Sequence, residues 1–389
     1  METKTVRLGD VANVNPRLPL TKGTVARKIP MEALTAHQRH IDSFIYEKYS
    51  GGVKFQNGDT LVARITPSLE NGKTSYVDLL DKDEIAFGST EFIVLRAKNK
   101  LILPKFLYYI SISDDFRQMA IQSMTGTSGR QRVQSESVIN YEFSLPDIEK
   151  QTAIVDLLDA IDQKLKINQQ INKNLLKLSV LGFNKWLDST QSNQYTSLDK
   201  IASFKNGIAM QKFSPTDKIH VLPVIKIREL NQGYIDSNSD SVTSVIDDDV
   251  KVHNGDLVFS WSGTLSAKIW TDGDAALNQH LFKVTSNRWP KWFYYLWVLH
   301  HLNTFRGIAA DKKTTMGHIK RKDLTNAKVL IPNAKEFKNL DTILNPIIEQ
   351  MVNGGIESKN LIDIRNILLP KLLSGSMDLS SIEETINND

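Results

Sequence analysis

Apolar positions along this chain form two kinds of pattern, and the pair of patterns occurs twice. Ile154, Leu157, Leu158, Ile161, Leu165, Ile171, Leu175 and Leu178 recur at spacings of three, four and seven, the stripe down one face of an α-helix. Leu340, Ile343, Leu344, Ile347, Met351, Leu361 and Ile364 repeat that stripe near the C-terminus. From Glu149 to Leu187 the first helix would extend about 55–60 Å at about 1.5 Å per residue. An apolar stripe of that length needs a partner, and its own duplicate is the obvious one. The plainer arrangement, each helix packed on its own globular head, stays open at this point. Pro346 and Gly354-Gly355 interrupt the second stripe, which predicts a bend or short break there.

Ahead of each helix lie short β-branched and aromatic runs, Thr60 to Ile65 and Phe92 to Arg96, then Leu257 to Trp261 and Leu281 to Val284. Gly, Asn and Pro punctuate them, so both stretches read as α/β heads. The repeat is explicit in the residues. Leu8, Val11 and Ala12 return as Leu198, Ile201 and Ala202, an offset of 190. Val53, Asn57, Gly58 and Asp59 return as Val250, Asn254, Gly255 and Asp256 at offset 197. Pro104, Leu107, Tyr108 and Tyr109 return as Pro290, Phe293, Tyr294 and Tyr295 at offset 186, which then holds through Leu145-Pro146 and Ile331-Pro332 into the helix. The second head therefore lacks 11 residues (197 less 186) in its middle while its flanks keep register. Duplication followed by divergence is the simplest history, with the middle segment free to acquire a second target.

The expected layout is a head over 1–148, a helix over 149–190, a second head over 191–333, a second helix over 334–376 and a frayed acidic tail over 377–389. The fold class is α/β (α+β): two globular heads related by a pseudo-twofold axis and separated by two long antiparallel helices forming a coiled coil. Antiparallel pairing sends the heads to opposite ends, and a stiff pair of this kind suits a duplex whose half-sites recur at about 34–36 Å.

Composition narrows the chemistry. Of 389 residues, 41% are apolar and 24% charged, as in ordinary globular chains. No run of 18 apolar residues occurs and the N-terminus lacks a secretory layout, so the expectation is a cytoplasmic protein with no membrane partner. With no cysteine, disulfides, thiolate metal sites and a Cys nucleophile are excluded. The excess of 48 basic over 44 acidic residues suits a polyanion partner yet falls short of a self-sufficient DNA binder, so another subunit would supply phosphate contacts. There is no Gly-x-x-x-x-Gly-Lys-Ser/Thr loop for ATP, no Gly-x-Gly-x-x-Gly fingerprint, no Asn/Asp-Pro-Pro-aromatic element and no His-Glu-x-x-His spacing. His300-His301 sits in an aromatic helical run and reads as packing, and Asp247-Asp248-Asp249 as a solvated loop. A catalytic site and a metal site are therefore both expected to be absent.

Specific phrases carry a resemblance: Val6-Arg-Leu-Gly-Asp-Val-Ala, Asn57-Gly-Asp-Thr-Leu-Val-Ala-Arg, Gly126-Thr-Ser-Gly-Arg-Gln-Arg-Val and Leu145-Pro-Asp-Ile-Glu-Lys-Gln in the first copy. Ser197-Leu-Asp-Lys-Ile-Ala, Asn254-Gly-Asp-Leu-Val-Phe-Ser, Leu277-Asn-Gln-His-Leu-Phe and Ile331-Pro follow in the second, and Ile367-Leu-Leu-Pro-Lys-Leu-Leu-Ser-Gly near the end. In their doubled order they resemble the specificity subunits of type I restriction–modification enzymes, over essentially the whole chain. The second copy departs at Ala334 to Phe337, where the Gln expected before the helix is lacking. The resemblance implies two target-recognition domains, each followed by a conserved helix, reading an asymmetric bipartite site on double-stranded DNA. It implies a non-catalytic platform for two methyltransferase subunits and, through them, two restriction subunits. Those partners would hold S-adenosylmethionine, ATP and Mg, while this chain holds no cofactor. The rival reading is a two-headed coiled-coil scaffold for a non-DNA partner, and a hydrolase is disfavoured because no acidic or nucleophilic constellation repeats.

Base readout needs Arg or Lys for guanine, Asn or Gln for adenine, and Ser or Thr for either. Three segments per copy offer them. After the Asn-Gly-Asp turn come Arg64, Thr66, Ser68 and Lys73, against Ser260, Ser262, Thr264 and Lys268. Before the last strand come Thr127, Ser128, Arg130, Gln131 and Arg132, against Lys313, Thr314, Thr315 and His318. Ser89, Thr90 and Glu91 face Asn278, Gln279 and His280 as the weakest set. The ordinary alternative for each is a polar loop touching only phosphates.

Overall fold

The computed structural model describes every residue except 1–3, 99, 128, 216–218, 237, 312–316 and 378–389. The chain divides into two compact units, Met1–Lys166 with Ile362–Asp389, and Ile167–Leu361. The division cuts both long helices, so it differs from the head-and-rod boundaries that the apolar pattern suggests.

In the first unit the described strands are β1 (Lys4–Arg7), β2 (Ala12–Val14), β3 (Val25–Ile29), β4 (Ile45–Lys48), β5 (Val53–Phe55), β6 (Thr60–Ala63), β7 (Thr74–Tyr76), β8 (Ala86–Gly88), β9 (Phe92–Ala97) and β10 (Glu142–Leu145). They form sheets in the orders β2-β9-β6-β7, β4-β3-β8-β5 and β1-β10. β3 and β8 run parallel and the other pairs antiparallel. The two larger sheets meet over Phe55, Leu61, Phe92 and Val94, all fully buried. Helix Pro104–Ile112 closes the far side of β6 and β9 with Phe106, Tyr108 and Tyr109.

The second unit repeats the plan with β11 (Tyr195–Ser197), β12 (Ser203–Asn206), β13 (Val221–Ile225), β14 (Ser241–Thr243), β15 (Lys251–Val252), β16 (Leu257–Ser260), β17 (Ala267–Ile269), β18 (Ala275–Leu277), β19 (Leu281–Thr285) and β20 (Lys328–Leu330). The orders β12-β19-β16-β17, β14-β13-β18-β15 and β11-β20 match those of the first unit one for one, again with one parallel pair, β13 and β18. The duplication read in the residues is thus a duplication of topology. The shortening falls after β16: the offset is 197 from β6 to β16, 193 from β7 to β17, 189 from β8 to β18 and 186 from Pro104 to Pro290, so the loops between these strands carry the difference.

The first long helix spans Ile148–Ser189 and the second Ala334–Ser374. Asp147 Oδ1 accepts from the Lys150 amide at the first start. At the second, Asn333 Oδ1 accepts from the Lys335 and Glu336 amides while Glu336 accepts from the Asn333 amide. This capping box explains how the second helix starts without the Gln of the first copy. Gln151 itself is fully buried, donating to the carbonyls of Pro146 and Leu101 and accepting from the Leu103 amide.

Within the second unit the helices run antiparallel: Asn168 Nδ2 donates to Glu357, Asn172 Nδ2 to the Met351 carbonyl, Gly182 lies beside Leu344, and Thr190 donates to Glu336. Within the first unit Asp162 meets Arg365, and Leu369 and Leu372 join the cluster of Ile154, Val155 and Leu158. Of the residues expected in the helix seam, Ile154, Leu158, Ile161 and Leu344 are buried and Leu157, Leu165, Leu175, Leu340, Ile347, Met351 and Leu361 half-buried. Leu178, Ile343 and Ile364 are corrected: they are 55%, 61% and 47% exposed. One position along the helix from Leu178 and Ile364, Ser179 and Arg365 are buried instead, because the buried stripe admits polar groups that hydrophobic periodicity skips; beside Ile343 it is Leu344 that is buried.

The expected break in the second helix is also corrected, since Ala334–Ser374 is continuous. Thr342 and Pro346 are both exposed, so the carbonyl that proline leaves without a donor faces water. The glycines serve close approach. A Cβ on Gly354 would lie 2.9 Å from Asn172 Oδ1, and one on Gly355 would lie 2.5–2.8 Å from three atoms of Thr271. Gly355→Ala should therefore destabilise the second unit by about 1–3 kcal/mol through overpacking, although alanine is the better helix former by about 1 kcal/mol. Denaturant unfolding followed by tryptophan fluorescence checks the sign, and a gain in stability would refute the close approach.

Candidate nucleic-acid interface

In the first unit the three segments singled out from the sequence converge. Ile65 forms an isolated bridge with Arg132, and the Thr66 hydroxyl donates to the Gln131 carbonyl at 3.1 Å while accepting from the Gln131 amide at 2.9 Å. The Arg64 amide donates to the Glu91 carbonyl, and its guanidinium to the Val133 carbonyl at 3.1 Å. Arg132 forks onto Glu91, with Nη2 to Oε1 at 2.7 Å and Nε to Oε2 at 3.0 Å. That hydrogen bond holds the Glu91 carboxyl below its ordinary range, so the pair is charged near neutrality. Thr127 and Arg130 stand exposed beside it, and Arg130 makes no ion pair among the described residues. Gln131 and Ser68 are half-buried. Lys73 is spent elsewhere: it donates to the Met31 carbonyl at 3.0 Å, and burial pushes its amine down. Ser128 lies outside the described residues.

The second unit assembles the same three segments from unlike residues. Ser262 bridges His318, the Gly263 amide donates to the Gly317 carbonyl, and Ser262 Oγ lies 3.1 Å from His280 Nδ1. Trp261 sits at the hub, its ring centroid 5.8 Å from that of His280 and 6.4 Å from that of His318. Where the first unit has Arg64, Arg132 and Glu91, the second has Trp261, His318 and His280. Thr264 and Gln279 are exposed. Lys313, Thr314 and Thr315 lie outside the described residues. Ser260 and Ser262 are corrected: both are buried, the Ser260 hydroxyl donating to the Ser262 carbonyl at 2.9 Å and the Ser262 hydroxyl held at His280, which leaves nothing to present outside. Lys268 is corrected likewise, since its amine donates to the Asn231 carbonyl and burial pushes it down.

Sequence reasoning missed an open cleft beside this cluster, lined by Gln211, Ser214, Lys226, Asn278, Gln279 and His280. Its other walls come from the loop before β13, the turn that follows β13 and the residues leading into β14, a stretch in which the offset between the copies shifts from 190 to 197 and constant-offset matching loses its register. His300 and His301 pack in the aromatic run, with the Trp297 ring 5.2 Å from that of His300 and His301 Nε2 donating to the Lys328 carbonyl at 2.9 Å; burial lowers both imidazoles. Asp248 and Asp249 pair with Lys251 and Lys205. No helix among the described residues is long and apolar enough to cross a membrane.

Comparison with known proteins gives the family. A profile described as "Type I restriction modification DNA specificity domain" matches residues 1–177 and 192–359, one match on each copy. A stretch of 134 residues is 31% identical to the type I restriction enzyme HindI specificity subunit of Haemophilus influenzae, covering 34% of this chain and 28% of that protein. The MjaIX specificity subunit of Methanocaldococcus jannaschii is 20% identical over 310 residues, 72% of this chain and 71% of that one. In fold, the chain is similar to the crystal structure of a type I restriction-modification system S subunit from M. genitalium, with a TM-score of 0.50 and 14% identity over 96% of each chain. The chain thus belongs to the type I restriction modification DNA specificity family.

Proposed function

We propose that this protein is the DNA-reading, non-catalytic subunit of a type I restriction–modification complex, each unit reading one half of an asymmetric bipartite site on double-stranded DNA. One observation carries the reading: the same three loop segments are assembled twice on one topology, once from Arg64, Arg132 and Glu91 and once from Trp261, His318 and His280. Equal scaffolds with unlike readers are what two different half-sites require. In the first unit Thr66, Gln131 and the Arg132–Glu91 fork are fixed by their neighbours, which leaves Arg130 and Thr127 free to meet base edges and phosphates, with Ser68 at the margin. In the second unit Thr264, Gln279, His280 and His318 form the corresponding face, with Gln279 chemically suited to adenine.

S-adenosylmethionine, ATP and Mg belong on this reading to two methyltransferase subunits and two restriction subunits, the latter held through the former. Leu178 and Leu181 in the second unit, and Ile364 and Ile367 in the first, remain 47–57% exposed and correspond at an offset of 186. Two equivalent apolar patches on the helices suit two copies of one methyltransferase partner.

Arg130→Ala tests the assignment. With the methyltransferase partner present, discrimination at one half-site should fall by about 1–3 kcal/mol, the worth of one bidentate contact, and the other half-site should be unaffected. Methylation of targets altered in either half reads this directly. Equal losses at both halves would refute the placement, and binding that ignores salt would favour the non-DNA scaffold.

A further inference from the structure

The two copies are alike enough that each long helix could pair with its own counterpart on a second molecule. Residues in the seam argue against that. In the first unit Asp162 and Arg365 are 2% and 3% exposed; Arg365 Nη1 donates to Asp162 Oδ1 at 2.5 Å, Tyr109 donates to Oδ2 at 2.9 Å, and Arg365 Nη2 donates to the His37 carbonyl at 3.1 Å. At the offset of 186 Asp162 corresponds to Ile348 and Arg365 to Ser179, both buried in the second unit and neither charged. A first-type helix facing another first-type helix would therefore set Asp162 against Ser179. Two second-type helices would set Arg365 against Ile348. Either way a buried charge loses its partner, a cost of about 3–5 kcal/mol each time.

A second, independent pair obeys the same logic. Asn168 donates to Glu357 at 2.7 Å within the second unit. Like-with-like pairing would place Asn168 opposite Ile171 and Glu357 opposite Gly354, and the hydrogen bond would vanish in either pairing. The two heterotypic contacts lie in different units, so each acts without the other.

We propose that Asp162–Arg365 and Asn168–Glu357 form a mating code: the surface of each long helix accepts the unlike helix of this protein and rejects a second copy of itself. The charges contribute little net stability, since an apolar pair of equal volume would pack as well or better. What they contribute is discrimination between partners. Without it, a duplicated chain would exchange helices between molecules and generate symmetric dimers whose two heads read the same half-site.

Co-refolding of the full-length chain tests this. Two versions with different affinity tags are denatured together, refolded and captured on one tag. The natural chain should yield almost no mixed species. The double variant Asp162→Ile with Arg365→Ser, which installs the second unit's residues in the first, should yield at least about tenfold more, the equivalent of about 1.4 kcal/mol of lost discrimination. A folded double variant that mixes no more than the natural chain overturns the proposal.

Should that variant not fold, Asp162→Arg and Arg365→Asp chains supply the second arm. Each alone opposes like charges, but exchange between the two restores both ion pairs. A mixed species from refolding them together, absent when either is refolded alone, supports the code. Equal behaviour together and apart overturns it.

Discussion

Arg365→Ala should destabilise the first unit by about 3–5 kcal/mol, a large part of what a domain of this size possesses. The reason is the neighbourhood it leaves. Asp162 is 2% exposed, and without the guanidinium only the Tyr109 hydroxyl still faces its carboxylate. The His37 carbonyl loses its donor as well. Around this point Leu369 and Leu372 of the second helix pack on Ile154, Val155 and Leu158 of the first, so the apolar contact loosens with the ion pair. Replacing both charges, Asp162→Ile with Arg365→Ser, should recover most of the loss because the unpaired charge is gone. The measurement is convenient. All six tryptophans, Trp186, Trp261, Trp270, Trp289, Trp292 and Trp297, lie in the second unit, so fluorescence follows that unit alone. Hydrogen exchange of the first unit should accelerate in Arg365→Ala while the tryptophan-reported transition holds. A single variant as stable as the natural chain would show that the pair carries no weight.

How much of this was legible in the residues depended on whether the feature was periodic. Long helices, paired heads and the strands around Thr60, Phe92, Leu257 and Leu281 follow from apolar spacing and from the repeat, since burial on one face imposes a period wherever it occurs. The convergence of three loop segments was half legible: the segments were visible as polar runs at matched positions, but nothing local predicts that Arg132 forks onto Glu91 or that Trp261 lies between His280 and His318. Those are contacts across 41, 19 and 57 residues of chain, and only tertiary packing decides them. The seam misled in a specific way. Periodicity chose Leu178 and Ile364 because they are apolar, whereas the structure buries Ser179 and Arg365 beside them. A polar residue enters a seam when an opposite group waits for it, and that group is 203 residues away in the case of Arg365 and Asp162. Gly354 and Gly355 misled for the same reason, being breakers by propensity but spacers where Asn172 and Thr271 press against the helix.

The joint between head and helix differs between the copies, and that difference yields the second large effect. In the second unit Trp292 is fully buried, donates to Asp341 at 2.7 Å and lies 5.8 Å from the Phe337 ring, both partners belonging to the second long helix. At offset 186 the first unit has Phe106, Val155 and Gln151, so a polar anchor at Gln151 there replaces an aromatic one here. Trp292→Ala should cost the second unit about 3–5 kcal/mol, combining lost burial with a cavity that the rigid neighbours Phe293 and Phe337 cannot fill. Trp292→Phe, the first unit's own choice, removes less volume but deprives Asp341 of its donor, which should cost about 1–3 kcal/mol. Adding Asp341→Val completes the first unit's arrangement and should return part of that loss. Urea unfolding followed through the five remaining tryptophans measures all three. If Trp292→Phe proved no better than Trp292→Ala, the ring volume would not be what joins this head to its helix; if Asp341→Val gave nothing back, the hydrogen bond would not be either.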